Sequence, residues 1–216
     1  MIGHIRRFGV AVAIVVGLTN VVSAAAADCT LFGDATKVKH GAEKHAVLLR
    51  SGFSTGTFGG IDISVPSGMT FSDLQELSTD WLFLEGSCGV GSPRFQVNVT
   101  TSTGQTGNAF VYIGPAPFGT GCPQDVEMNS GNLAPTGGPG DIPGTWDTSQ
   151  LVSGTQVNTY TGALAISIAQ GWTVTGIQLV VDSGYAFSPN GQAVIVDRVS
   201  VNNQACFPDK GKKEAA

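Results

Sequence analysis

Short runs of alternating residues, each closed by glycine, proline or asparagine, constrain this chain more than any other feature. In residues 94–100, Phe95, Val97 and Val99 point one way while Arg94, Gln96, Asn98 and Thr100 point the other, because successive side chains of an extended strand leave on opposite faces. Comparable runs occupy residues 45–50, 58–65, 81–85 and 109–113, and the longest occupy 174–182 and 192–202. One buried and one wet face per run is the pattern of an antiparallel sheet. With turn clusters between them, these runs predict an all-β fold: an antiparallel two-sheet β-sandwich of jelly-roll type with one or two short helices. The scarcity of charge (12% of residues) and the 30 glycines and 10 prolines fit such a fold better than a helical one.

Two segments depart from the strand period. Residues 71–77 read as a short helix, with Ser72 three residues before Gln75 as a capping box. Residues 160–169 place Leu164 and Ile168 at helical spacing, with Gly171 as the stop. The Gly/Pro/Thr-rich stretch 114–150 has little period of its own. Loops of that length in compact domains are functional or disordered, and Cys122 near one end makes a functional surface loop the expectation.

The first 27 residues read as an export signal: Arg6 and Arg7, an apolar run over 9–22, then Ser23 and four alanines. Thr19 and Asn20 interrupt the apolar run, so stable membrane insertion is not expected. The domain plan is therefore 1–27 signal peptide, 28–44 N-terminal segment, 45–207 β-sandwich and 208–216 polar tail. His40 falls in the charged run 37–44, which reads as solvated. Cleavage would move the formal charge from −5 to −7 by removing Arg6 and Arg7, which makes the chain a poor nucleic-acid binder, and no nucleic-acid partner is expected.

Cys29, Cys88, Cys122 and Cys206 form an even set for which three pairings exist. The favoured one is Cys29–Cys206 with Cys88–Cys122. The first would tie together the two ends of the sandwich domain. The second closes a loop of about 35 residues, worth about 3.5–4 kcal/mol in the chain-entropy account. Zinc is disfavoured because no CxxC spacing occurs and only His40 and His45 follow the signal.

Aromatic side chains are the first candidates for binding. Trp81 sits in an apolar run and reads as core. Trp146 lies in a polar loop where nothing obliges burial, so it is the leading ligand-binding candidate, with Trp172 and Tyr185 flanking the strand at 174–182. Carboxylates are the second group. Asp182, Asp197 and Glu85 end or interrupt strands and are the catalytic candidates if the protein is an enzyme, since a glycosidase needs two carboxyls about 5–9.5 Å apart. Asp197 is expected to be partly buried, with Arg198 on the opposite face. Its partner would then be a backbone N–H, a hydroxyl or a cation. For structural calcium, Asp197, Asp182, Asp147 and Asp62 are the oxygen donors considered, without an EF-hand spacing to support them. No other cofactor is implied. A hydrolytic triad lacks a GxSxG elbow.

Residues 192–202 (QAVIVDRVSVN) resemble the final strand of jelly-roll carbohydrate-binding modules. Residues 70–74, 92–97, 110–117 and 176–184 together resemble a group of secreted bacterial proteins without an assigned activity. The first resemblance implies fold and the second implies homology within that group; neither implies chemistry. The resulting expectation is a secreted, extracellular or periplasmic, non-catalytic protein that binds carbohydrate or cell-envelope glycan through exposed aromatics at one end of the sandwich. Wet faces rich in Thr, Asn and Gln suit a neutral polysaccharide. The alternatives are a small glycoside hydrolase or polysaccharide lyase using paired carboxylates, and a structural or adhesive surface protein. If both cysteine pairs are bridged, thiol titration of the unfolded, unreduced protein will find no reactive thiol; two or more would refute the pairing.

Overall fold

The computed structural model describes residues 27–41, 43–52, 57–89, 91–117, 121–182 and 191–208. In chain order its strands are β1 (Cys29–Gly33), β2 (Ala35–His40), β3 (Glu43–Ser51), β4 (Phe58–Ile63), β5 (Leu77–Glu85), β6 (Arg94–Thr100), β7 (Thr106–Tyr112), β8 (Met128–Asn129), β9 (Trp146–Asp147), β10 (Thr173–Asp182), β11 (Gln192–Val201) and β12 (Gln204–Ala205). One sheet runs β1-β4-β10-β6-β7-β9; the other runs β2-β3-β11-β5-β8, with β12 beside β11. Every pairing between these strands is antiparallel. The core lies between the sheets: Ile61, Phe95, Val97, Val111, Ile177 and Leu179 face Val47, Leu49, Trp81, Phe83, Val194 and Val196.

The alternation that predicted the strands therefore decides which residues meet. Residues 28–44 do more than expected, because they supply β1 to one sheet and β2 to the other. β2 keeps Lys37 and Lys39 exposed, and lysines on an edge strand discourage pairing with a further chain. Both disulfides join the expected partners, Cys29–Cys206 with Cα atoms 5.6 Å apart and Cys88–Cys122 with Cα atoms 5.1 Å apart. No free cysteine occurs. The first bridge links β1 of one sheet to the residue after β12 of the other.

The helix α1 (Tyr160–Gln170) begins where Thr159 Oγ1 accepts from the Gly162 amide and ends at Gly171, whose φ of 60° is a left-handed cap. The expected helix at 71–77 is only a 3-10 turn, Phe71–Asp73. Asp73 bonds both the amide and the hydroxyl of Thr70, at 2.8 and 2.7 Å, so Thr70 rather than Ser72 starts the turn. Leu77 already belongs to β5. Nor is the stretch 114–150 merely a surface loop, since it contributes β8, β9 and the buried Leu133, Ala134 and Trp146.

Beneath α1 the Phe71 ring meets Trp146, Trp172 and Tyr160 with centroids 5.5, 5.4 and 5.9 Å away. The Tyr160 hydroxyl donates to the Leu74 carbonyl. Burial, aided by the charges of Asp141 and Asp73, pushes this phenol up to about 12. An unfolded tyrosine titrates near pH 10, so the fold favours the neutral phenol. Its contribution to stability is intact below about pH 10 and is lost as pH rises through about 12. Denaturant titrations across that range should show a steeper loss of stability for the native protein than for Tyr160→Phe; equal losses would refute this.

Candidate functional site

Cross-strand register on the first sheet brings six outward-facing side chains into one row. Thr30 lies opposite Asp62, Asp62 opposite Gln178, Gln178 opposite Gln96, Gln96 opposite Phe110 and Phe110 opposite Asp147. A second row, two residues along, holds Phe32, Gly60, Val180, Arg94 and Tyr112. These rows line two adjoining cavities of about 470 and 400 Å³ that share Arg94, Gln96 and Asp182. Together they make a groove across the strands on the sheet's outer face.

Hydrogen bonds join the middle of the row, from Asp62 through Gln178 and Gln96 to Arg94. Gln178 donates to Asp62 Oδ1 at 2.5 Å, and Gln96 donates to Gln178 Oε1 at 2.9 Å. Arg94 then donates to Gln96 Oε1 through Nη2 at 2.7 Å and Nε at 3.2 Å. The same guanidinium reaches Asp182 Oδ2 at 3.3 Å and the Gly91 carbonyl, and lies 4.7 Å from the centroid of the Phe110 ring. A buried charge is tolerated only when it is paired and bonded, and Arg94 is both. At the far end the Tyr112 hydroxyl donates to Asp147 Oδ2 at 3.0 Å. At the other end the Phe32 and Phe58 rings lie 5.9 Å apart, with Phe58 46% exposed. Gly60 makes room for Phe32: a Cβ there would sit 2.3 Å from its ring and 2.6 Å from the Leu179 carbonyl oxygen.

The chain matches no family model and no curated protein. Among solved structures it aligns with an exo-beta-agarase at 15% identity and a TM-score of 0.40, over 84% of this chain. It spans only 23% of that protein's length. A likeness of that strength says nothing about what the groove holds.

The aromatic residues expected to bind ligand are placed otherwise. Trp146 is fully buried, with Nε1 donating to the Leu133 carbonyl at 2.7 Å, and Trp172 is 2% exposed with Nε1 on Gln170. Neither offers a ring face to a ligand, because both serve the aromatic plug under α1. Tyr185 lies outside the described residues. Trp81 belongs to the core as expected.

Nor are the three carboxylates of the alternative, enzymatic reading brought together. Asp182 stands in the groove, whereas Asp197 is on β11 and Glu85 ends β5, both in the other sheet. The calcium set is likewise dispersed: Asp62 and Asp147 sit near opposite ends of the row, with Gln178, Gln96 and Phe110 between them. Asp197 instead meets Asp80 and Glu127, with the three carboxylates within 4.8 Å of one another. The cation there is Arg198, which touches Asp80, reaches Glu127 at 3.4 Å and lies 3.5 Å from Asp197. Strict alternation would have sent Arg198 to the opposite face. A register shift between Asp197 and Ser200, with Arg198 at φ 46°, breaks that alternation and brings it back.

A third cavity, of about 310 Å³, is lined by Ile63, Val65, Met69 and Val201 among others. Of its polar groups, Asn202 Oδ1 accepts the Gln75 and Glu76 amides, and Asp73 accepts from Thr70. The sheet-face groove is larger and gathers amides, carboxylates, a guanidinium and aromatic rings in register, which makes it the candidate site. Sequence reasoning passed over Phe32, Phe58, Arg94, Gln96, Asn108, Phe110, Tyr112 and Gln178. The available signal was the polar face of the alternating strands. Because Arg94 satisfies several acceptors at once, Arg94→Lys should lower unfolding stability by about 2–3 kcal/mol through lost charge-assisted bonds. Chemical denaturation measures this, and a change below about 0.5 kcal/mol would show that the network contributes little.

Proposed function

We propose that this is an exported carbohydrate-binding protein that holds a glycan chain in the sheet-face groove without cleaving it. The observation that carries this is the pair of register-built rows that set amides, carboxylates and one guanidinium beside Phe32, Phe58 and Phe110. Side-chain amides both donate and accept, which matches the mixed demands of sugar hydroxyls. Flat aromatic rings suit the C–H faces of pyranoses. Two disulfides agree with life in an oxidising compartment, and no helix among the described residues is long and apolar enough to cross a membrane.

In the binding reading the groove carboxylates serve as oriented hydrogen-bonding groups, Asp62 held by Gln178, Asp182 by Arg94 and Asp147 by Tyr112. The test is retention of residues 28–216 on a panel of insoluble polysaccharides and cell-wall preparations. The native protein should be retained on at least one, and Gln178→Ala should weaken that binding about tenfold, some 1.4 kcal/mol. Retention on none would overturn the reading. Release of reducing ends from any retained polymer would replace binding with hydrolysis.

A further inference from the structure

We infer that the groove takes an uncharged linear polysaccharide laid across the strands, several sugar rings long, rather than an anionic polymer or the end of a chain. This rests on the carbohydrate-binding reading and specifies the ligand's charge, direction and length.

Charge comes from the lining. The two cavities contain Asp62, Asp147 and Asp182 against Arg94, so one positive and three negative groups leave a formal −2. The lone cation has little to offer an anion, because Gly91, Gln96 and Asp182 already accept its N–H groups and Phe110 covers a face. A sulfate or uronate entering the groove would meet net repulsion and lose its hydration. Hydroxyl groups meet no charge repulsion and lose far less hydration free energy. They can pair with the remaining capacity of Gln178, Asn108 and Gln150, amides that line or bond within the same face.

Direction and length come from the register. The polar row passes through all six strands, from Thr30 on β1 to Asp147 on β9. Five inter-strand gaps of about 4.8 Å make it about 24 Å long. Aromatic rings stand along the way, with Phe32 and Phe58 towards β1 and Phe110, one face of which meets Arg94, towards β9. A ligand lying along a single strand would meet only part of that row. One crossing the strands meets polar and aromatic groups in turn.

The experiment compares affinity electrophoresis in neutral linear polymers (hydroxyethylcellulose, glucomannan, mixed-linkage β-glucan) and anionic ones (alginate, polygalacturonate, carrageenan). Calorimetry then follows with a size ladder of oligosaccharides from the best neutral binder. Retardation by a neutral polymer, with affinity rising at least tenfold from the disaccharide to the hexasaccharide, is expected. Phe32→Ala and Asn108→Ala, at opposite ends of the groove, should each weaken hexasaccharide binding at least threefold, and the disaccharide should lose affinity to no more than one of them. Retardation by anionic polymers alone would overturn the charge assignment while leaving carbohydrate binding standing. Equal affinity for disaccharide and hexasaccharide would overturn the crossing pose. Retardation by no polymer of either kind would remove the carbohydrate reading itself.

Discussion

The antiparallel pairing of β10 with β4 on one side and β6 on the other governs the rest of the molecule. Ile177 and Leu179 enter the core from β10 while Gln178 leaves it, and Ile61, Ile63, Phe95 and Val97 do the same on the flanking strands. A slip of one residue would turn Gln178 inward and expose both apolar neighbours. Apolar burial is worth about 25 cal/mol per Å², so the core enforces the register strongly. The outer face inherits that precision without contributing to it. Asp62, Gln178, Gln96 and Phe110 stand opposite one another because the residues between them are packed on the other side.

Arg94 shows how a charged group lives on such a face. It is 5% exposed and would be costly there if unpaired. Its fork is divided among a backbone carbonyl, an amide oxygen and a carboxylate, with an aromatic ring beside it. The arrangement gives Gln96 and Asp182 a common hydrogen-bond partner. A groove lined with side chains already held by one another binds with less loss of conformational freedom than one lined with free rotors.

Two departures from regularity position everything else. The bulge at Arg198 lets one strand present Asp197 and Arg198 on the same side and then return Val199 and Val201 to the core. The aromatic plug of Phe71, Trp146, Tyr160 and Trp172 closes the sandwich under α1 and draws the segment carrying Trp146 inward. That draws Asp147, next in sequence, to the edge of the first sheet, opposite Phe110. Core closure and groove geometry are coupled through two adjacent residues.

Period-two alternation was enough to reveal the sandwich, most of its long strands and the polar character of the Arg94, Gln96 and Asn98 face, because alternation is a local property of extended backbone. Gly171 announced the end of α1, and the two cysteine pairings followed from their placement at chain ends and loops. The site was not legible in the same way. Trp146 sits among polar neighbours in sequence yet lies at the centre of the plug, since burial is decided by what packs over a residue and not by what adjoins it. Arg198 escaped its expected face because a positive φ leaves no mark on an arginine codon or its neighbours. Asp62, Gln96 and Gln178 are scattered over more than a hundred residues and become one row only through strand order. The sequence by itself determined which face of each strand is wet; only the tertiary structure decided which wet faces lie side by side, because cross-strand neighbours are set by topology and core packing rather than by separation along the chain.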